Sequence, residues 1–291
     1  MSQKKMIIEP GGGLGNRLLF ISSAYNLAKD CGITDIKLMW RNNNECGCNF
    51  EDVISALPLP SEVVDMHFGK DSYAALIKSG RIIEALRKFF QGIGYKVFRV
   101  YTKKYQLPIY QDMPQNEKNV LKEYVEKNSE KIIYIEGYYS FYGDVNLSDV
   151  RFEEDIFEKV KEFKRNFGSY DAMHIRRTDN AVAIENSPTE LFYDKVAEIV
   201  AADSNKKIYI ATDDNSILEN LKSKYPANII SSTREVSRIS SEGMKFALYE
   251  MLILSRADVL YASFGSTFTI IANAIGNNQM VVLKKEPGSY E

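Results

Sequence analysis

Histidine, cysteine and tryptophan are scarce in this chain, with two, three and one copies among 291 residues. Cys31, Cys46 and Cys48 form an odd, thin set, which excludes a disulfide framework and fits a reducing compartment. No second cluster of cysteine or histidine completes a zinc site around Cys46 and Cys48, so no metal is expected. Charge of one sign is not in excess. With 37 Lys and Arg against 39 Asp and Glu, no overall field draws the chain to nucleic acid or an anionic membrane, and any anion site must be local. No stretch approaches the roughly 20 apolar residues of a membrane span. The opening MSQKKMIIEPGGG has a three-residue apolar run, short of a signal peptide's core. A cytoplasmic protein without a transmembrane segment is the simplest expectation, with peripheral association at a membrane face left open.

What is present reads as an ordinary globular protein, 45% apolar and 26% charged. Single cores stop growing near this length, so two lobes are expected, 1–150 and 151–291. Short apolar runs alternate with helical periodicity, the pattern of parallel α/β architecture. In the first half, strands are expected at 6–9, 35–40, 96–101 and 132–135, with helices at 14–29, 81–90 and 117–127; residues 41–80 read as irregular. The second half alternates more strictly from the charged helix at 153–165 onward, with strands at 172–175, 207–211, 229–231, 259–262 and 280–283. Such sheets bind ligands beyond the carboxyl ends of their strands.

Four loops sit at such ends. Gly11-Gly12-Gly13-Leu14-Gly15-Asn16-Arg17 joins a strand to a helix, where glycines let backbone approach a phosphate and the helix N-terminus offers free N–H groups. A nicotinamide-cofactor reading fails on Leu18 at the third glycine position and on Trp40-Arg41 where an acid should end the next strand. A tight structural turn is the competing reading. His174-Ile175-Arg176-Arg177-Thr178-Asp179-Asn180 follows a buried-type strand, and its adjacent arginines offer forked donors to a diphosphate, unless they are solvated surface charges. Thr212-Asp213-Asp214 and Ser263-Phe264-Gly265-Ser266-Thr267 complete the set; in each, a helix cap is the plainer alternative to a ligand contact. The aromatic cluster Tyr138, Tyr139, Phe141 and Tyr142 reads as core or as a sugar platform.

HIRRTD, KIYIATDDNSILENLKSKYP and LYEMLILSRADVLYASFGST resemble, in order and spacing, the three motifs shared by α1,6- and α1,2-fucosyltransferases and protein O-fucosyltransferases, the α1,6 group most of all. The resemblance runs from about Ala172 to Ala274, with GGGLGNRL and IEGYYSFYGD similar to bacterial α1,2-type relatives. It implies a GT-B-like fold of two Rossmann-like lobes, with the donor site in the C-terminal lobe facing a cleft. It implies an inverting, metal-independent glycosyltransferase taking GDP-fucose and a glycan acceptor, and so polysaccharide biosynthesis. A transferase for another nucleoside-diphosphate sugar and an inactive nucleotide-binding protein are the alternatives. By the same resemblance Arg176, with Arg177 beside it, would hold the diphosphate and His174 would lie against the guanosine. Glu250 would read the guanine edge, where the family usually has Asp. Arg238, 12 residues earlier, would bind phosphate. Asp213, Ser266 and Thr267 would line the donor, and Gly13, Gly15 and Asn16 would approach its phosphates. The proton acceptor is Glu185 or Asp179. The chain departs from the pattern at Asn180, where the family has lysine, and at Ile184, where it has glutamate.

Overall fold

The computed structural model describes residues 4–67, 80, 82–83, 86, 89–90, 93–94, 96, 106–107, 115–127, 131–178, 180–232 and 237–285. The chain forms two units, Met1–Glu153 with Ser237–Lys245, and Glu154–Val236 with Phe246–Glu291. The return of 237–245 to the first unit carries Arg238 with it, away from the lobe in which the sequence placed it.

In the first unit, β1 (Lys5–Pro10) leads through Gly11–Gly13 into α1 (Leu14–Asp30) and then β2 (Asp35–Asn42). The short β3 (Ile54–Ala56) precedes β4 (Ser61–His67), then come α2 (Gln115–Lys127), β5 (Ile132–Gly137) and β6 (Arg151–Phe152). A parallel sheet runs β4-β2-β1-β5, while β3 pairs antiparallel with β6. The apolar run of β1 is buried, as befits a strand covered on both faces. A Schellman motif ends α1. Gly32 takes φ 65°, its N–H reaches the Lys29 carbonyl, and the Ile33 N–H reaches that of Ala28. β4 falls where the sequence read irregular chain, because Pro58 and Pro60 masked an alternation that only pairing with β2 makes visible. The expected helix at 81–90 is helical at each of its described positions. The strand expected at 96–101 is not seen: Lys96 is helical, and 97–101 lie outside the described residues.

The second unit opens with α3 (Glu154–Phe167) and β7 (Asp171–Ile175). It continues through α4 (Ala181–Asn186), α5 (Thr189–Ala202), β8 (Ile208–Thr212), α6 (Asn215–Lys224), β9 (Ile229–Ile230), α7 (Ser241–Leu254, whose first five residues belong to the first unit), β10 (Val259–Ser263), α8 (Thr267–Gly276) and β11 (Gln279–Leu283). Its parallel sheet runs β11-β10-β7-β8-β9. Met173, Ile175, Ile208 and Ile210 pack on Phe192 and Val196 of α5 and on Ile217 and Leu221 of α6. Ala172 pairs with Tyr209 and His174 with Ala211, so strand alternation puts His174 and Tyr209 together on the opposite face. There Phe163 of α3 meets the Tyr209 ring edge-on at 5.4 Å. α4, which the sequence reading missed, starts at Asn180, whose side chain accepts the Ala183 N–H at 3.0 Å. The family's lysine position is thus an N-cap here.

Candidate functional site

Three loops at the carboxyl ends of β7, β8 and β10 are tied into one body in the second unit. Asp213 accepts from the Arg177 backbone N–H at 2.7 Å and from the Thr178 hydroxyl at 2.7 Å, and its Oδ2 pairs with Arg176 Nη1 at 3.2 Å. Asp214, not Asp213, caps α6 through the Ser216 N–H at 2.9 Å. Ser263 Oγ donates to the His174 carbonyl at 3.1 Å and accepts from the Arg176 N–H at 3.1 Å, which fixes the β10 loop to the β7 loop.

The two arginines have different work. The Arg177 guanidinium is consumed internally, donating to Thr189 Oγ1 at 2.9 Å, the Arg176 carbonyl at 2.7 Å and the Ser187 carbonyl at 2.6 Å, and it lies over the Phe192 ring. This departs from the expected second diphosphate donor, since its fork is spent on the chain itself. Arg176 keeps a side chain 20% exposed, with Asp213 as its carboxylate partner. Arg177→Ala is therefore expected to cost about 2 kcal/mol by stranding the Ser187 carbonyl. Chemical denaturation checks this, and Arg177→Lys should recover little, because an ammonium does not reproduce a planar fork.

His174 is buried and stacks on Phe268 of α8 at 4.9 Å and 20°. Its Nδ1 lies 3.2 Å from Ser266 Oγ. Burial first, and then the positive charge of Arg176, push the imidazole down to about 4, so it is neutral near pH 7. Ser266 is the N-cap residue of α8 yet makes no side-chain cap, its hydroxyl being turned to His174. Gly265 takes φ 64°, which a side chain rarely adopts, and so turns the chain into that helix start. Thr267, half-buried, is the first residue of α8. The start of α8 is thus an N-terminus whose first N–H groups lack an intrahelical acceptor, beside Ser266 and His174.

Glu250 is also buried, on the same sheet face as His174 through its partner Tyr209, whose hydroxyl donates to Glu250 Oε1 at 3.0 Å. Burial raises the carboxyl to about 7, against the opposing pull of the Tyr209 hydrogen bond. The Tyr209 hydroxyl is also 2.8 Å from Ser232 Oγ.

In the first unit the glycine loop is tightly shaped. Gly11 has the Tyr138 ring where a Cβ would stand, and Gly12 takes φ 75°. Gly13 is the N-cap of α1 with no side-chain cap bond, followed by buried Gly15 and half-buried Asn16. Arg17 is wholly buried, donating from Nε to the Gly12 carbonyl at 2.9 Å and lying 4.6 Å over Trp40. It holds the loop from beneath. Phe141 and Tyr142 are core, whereas Tyr138 and Tyr139 are exposed, so the aromatic cluster divides between the two readings.

The remaining expected residues scatter. Arg238 is exposed, and its carbonyl accepts the Gly47 N–H at 2.7 Å. Glu185 is exposed on α4, and Asp179 lies outside the described residues. Sequence reasoning missed Ser187, fully buried, whose hydroxyl accepts the Phe264 N–H at 2.8 Å and donates to the Leu283 carbonyl. It also missed a pair of acids in the first unit, buried Glu9 and half-buried Glu136. Glu9 accepts from Tyr134 at 2.6 Å, and Arg41 lies 3.3 Å from Glu9 and 3.7 Å from Glu136. The Trp40-Arg41 end of β2, noted only as lacking an acid, was the available signal. Among the described residues no group of three or more His, Cys, Asp or Glu has the arrangement to hold a metal. Among the same residues no helix is long and apolar enough to cross a membrane.

No protein-family model and no curated protein sequence matches the chain. Solved structures do. The NodZ α-1,6-fucosyltransferase soaked with GDP-fucose is 14% identical over 94% of this chain and 93% of its own, with a TM-score of 0.62. A mutant of Arabidopsis thaliana FUT1 in complex with GDP is 14% identical over 98% and 72%, at 0.60. POFUT1 in complex with GDP is 13% identical over 97% and 99%, at 0.55. The α/β fold of this chain is that of the GT-B fucosyltransferases.

Proposed function

We propose that the protein transfers fucose from GDP-fucose to a glycan hydroxyl, with inversion at the sugar carbon and without a metal. The reading rests on one observation above all: Arg176, neutral His174, Ser266 and the N-terminus of α8 converge at the carboxyl edge of the second unit's sheet. In this reading the acceptor oxygen bonds to the anomeric carbon as the bond from that carbon to the diphosphate oxygen breaks. The electron pair leaves with GDP. Negative charge growing on the diphosphate is met by Arg176 and by the positive dipole end of α8, which do the work that a divalent cation would otherwise do. His174, uncharged, packs against the nucleoside without repelling Arg176. Glu250 accepts from the guanine edge as its carboxylate, the form that a base offering two adjacent donors selects from a group that burial holds near 7. The hydroxyl proton passes to Glu185. Arg177, Asp213 and Ser187 position these groups.

Thermal shifts with GDP, UDP and ADP test the nucleotide. A ligand at 100 times its Kd adds about 2.7 kcal/mol, so GDP alone should raise the melting temperature by several degrees. A screen of GDP-fucose against GDP-mannose over a glycan acceptor library, with EDTA present, then tests the transfer. Fucose should be passed on with its anomeric configuration reversed. UDP binding, or transfer abolished by EDTA, would sink the reading, and GDP binding without turnover would leave a nucleotide-binding protein.

A further inference from the structure

Two thiols that the transfer reaction does not use lie side by side in the first unit. Cys46 and Cys48 are fully buried, with their Sγ atoms 3.7 Å apart. The turn that carries them follows β2 and closes on itself, the Asn43 N–H meeting the Cys46 carbonyl and the Cys46 N–H the Asn43 carbonyl, each at 3.2 Å. It is fastened to two other segments. Glu45 Oε2 accepts the Gly12 N–H at 3.3 Å, and Arg17 bridges from Nε to the Gly12 carbonyl and from Nη2 to Asn43 Oδ1 at 3.2 Å. On the other side the Gly47 N–H reaches the Arg238 carbonyl at 2.7 Å, and a Cβ at Gly47 would overlap the Ile239 backbone. The Arg17 guanidinium is wholly buried, and its Nη1 has no hydrogen-bond partner among the described residues. Burial works against its charge, and Cys46, then Cys48, are the first influences that favour it. The hydrogen bond with Cys48 holds the Cys46 thiol below its ordinary value against the pull of burial, the Arg17 charge adds to this, and the same bond raises Cys48. Burial pushes half-buried Cys31 up to about 11, so it ionises less readily than Cys46.

We infer that Cys46 and Cys48 are an oxidisable pair, which hydrogen peroxide closes to a disulfide, and that closure frees the glycine loop from the turn at 43–48. The Cys46 sulfur attacks one peroxide oxygen, the O–O bond breaks, and the departing hydroxide takes up a proton and leaves as water. Cys48 gives up its proton and bonds to the resulting sulfenic sulfur, whose hydroxyl leaves as a second water. Two electrons pass from the thiols to the peroxide, and an added dithiol returns them. The sulfurs must approach by roughly 1.7 Å to bond, which contracts the turn around Gly47. The disulfide carries no charge to set against buried Arg17. Both changes act on the ties to Gly12 and Arg238. The disulfide and these ties are read without turnover, so their test is independent of the donor assignment.

Titration of the full chain with hydrogen peroxide provides the test. Free thiols should fall from three to one, and the tryptic peptide 42–70, which holds both cysteines, should become about 2 Da lighter, a change that dithiothreitol reverses. Hydrogen exchange at the Gly12 and Gly47 amides should then quicken by about tenfold, the effect of losing one hydrogen bond at each. Cys31→Ser should behave as wild type. Cys48→Ser should stop at a sulfenic acid on Cys46, trapped by dimedone, with no disulfide formed. The peptide mass and the amide rates are read on the wild-type chain, so the test does not depend on any variant folding. Three thiols that persist in excess peroxide, a disulfide made through Cys31, or a Cys46–Cys48 disulfide that leaves both amides as slow as before overturns the inference.

Discussion

Replacing Arg176 with alanine is expected to slow fucosyl transfer by about 10²–10³-fold, the loss seen when a charge-stabilising donor is removed from a reacting centre. The expectation follows from the division of labour between the two arginines. Arg177 donates to the chain from all three guanidinium nitrogens, whereas Arg176 has a partly exposed side chain that pairs with Asp213. Asp213 retains the Arg177 N–H and the Thr178 hydroxyl when Arg176 is gone, so the loop should persist and stability should change little. The signature is thus a large fall in kcat with a near-normal melting temperature, the reverse of Arg177→Ala. Arg176→Lys should recover part of the rate, since a lysine restores the charge without the bidentate fork. Transfer by Arg176→Ala within a few-fold of wild type would remove this side chain from the diphosphate role.

The second large effect is a pair of opposed protonations inside the second unit. Glu250 titrates near 7 when folded against 4.5 when unfolded, so its contribution is fully present below about pH 4.5 and is lost as pH rises through 7. His174 titrates near 4 when folded against 6.5 when unfolded, so the native state loses stability as pH falls from about 6.5 towards 4. Each excursion is worth about 3 kcal/mol, and over the shared window the two nearly cancel. Glu250→Gln, which retains an acceptor for Tyr209, removes one side of the balance. The stability of wild type minus that of Glu250→Gln, measured by denaturant titration, should fall by about 3 kcal/mol between pH 4.5 and 7. A difference that is flat with pH would show that Glu250 is not buried as a neutral acid.

Much of the candidate site was legible in the residues because it follows strand ends. The β7, β8 and β10 loops could be found by counting short apolar runs and looking one residue beyond each, since parallel strands in a sheet put their carboxyl termini on one edge. Asn180 shows the limit of that method. As a letter it broke a family pattern; in the fold it caps α4. Arg177 shows another, because two neighbouring arginines are indistinguishable in sequence, and only the positions of Ser187, Thr189 and Phe192 turn one of them inward.

What the sequence by itself determined is therefore the α/β alternation, the position of the strand-end loops and the resemblance to fucosyltransferases, all carried by local patterns a few residues long. What only the tertiary structure decided is which side chains spend their hydrogen bonds on the protein, Arg177 among them. It also decided that Arg238 belongs with the first unit, and that Glu250 and His174 titrate in opposite directions. Those outcomes depend on partners distant in the chain and on the loss of water around buried charge, and neither is written in any short run of residues.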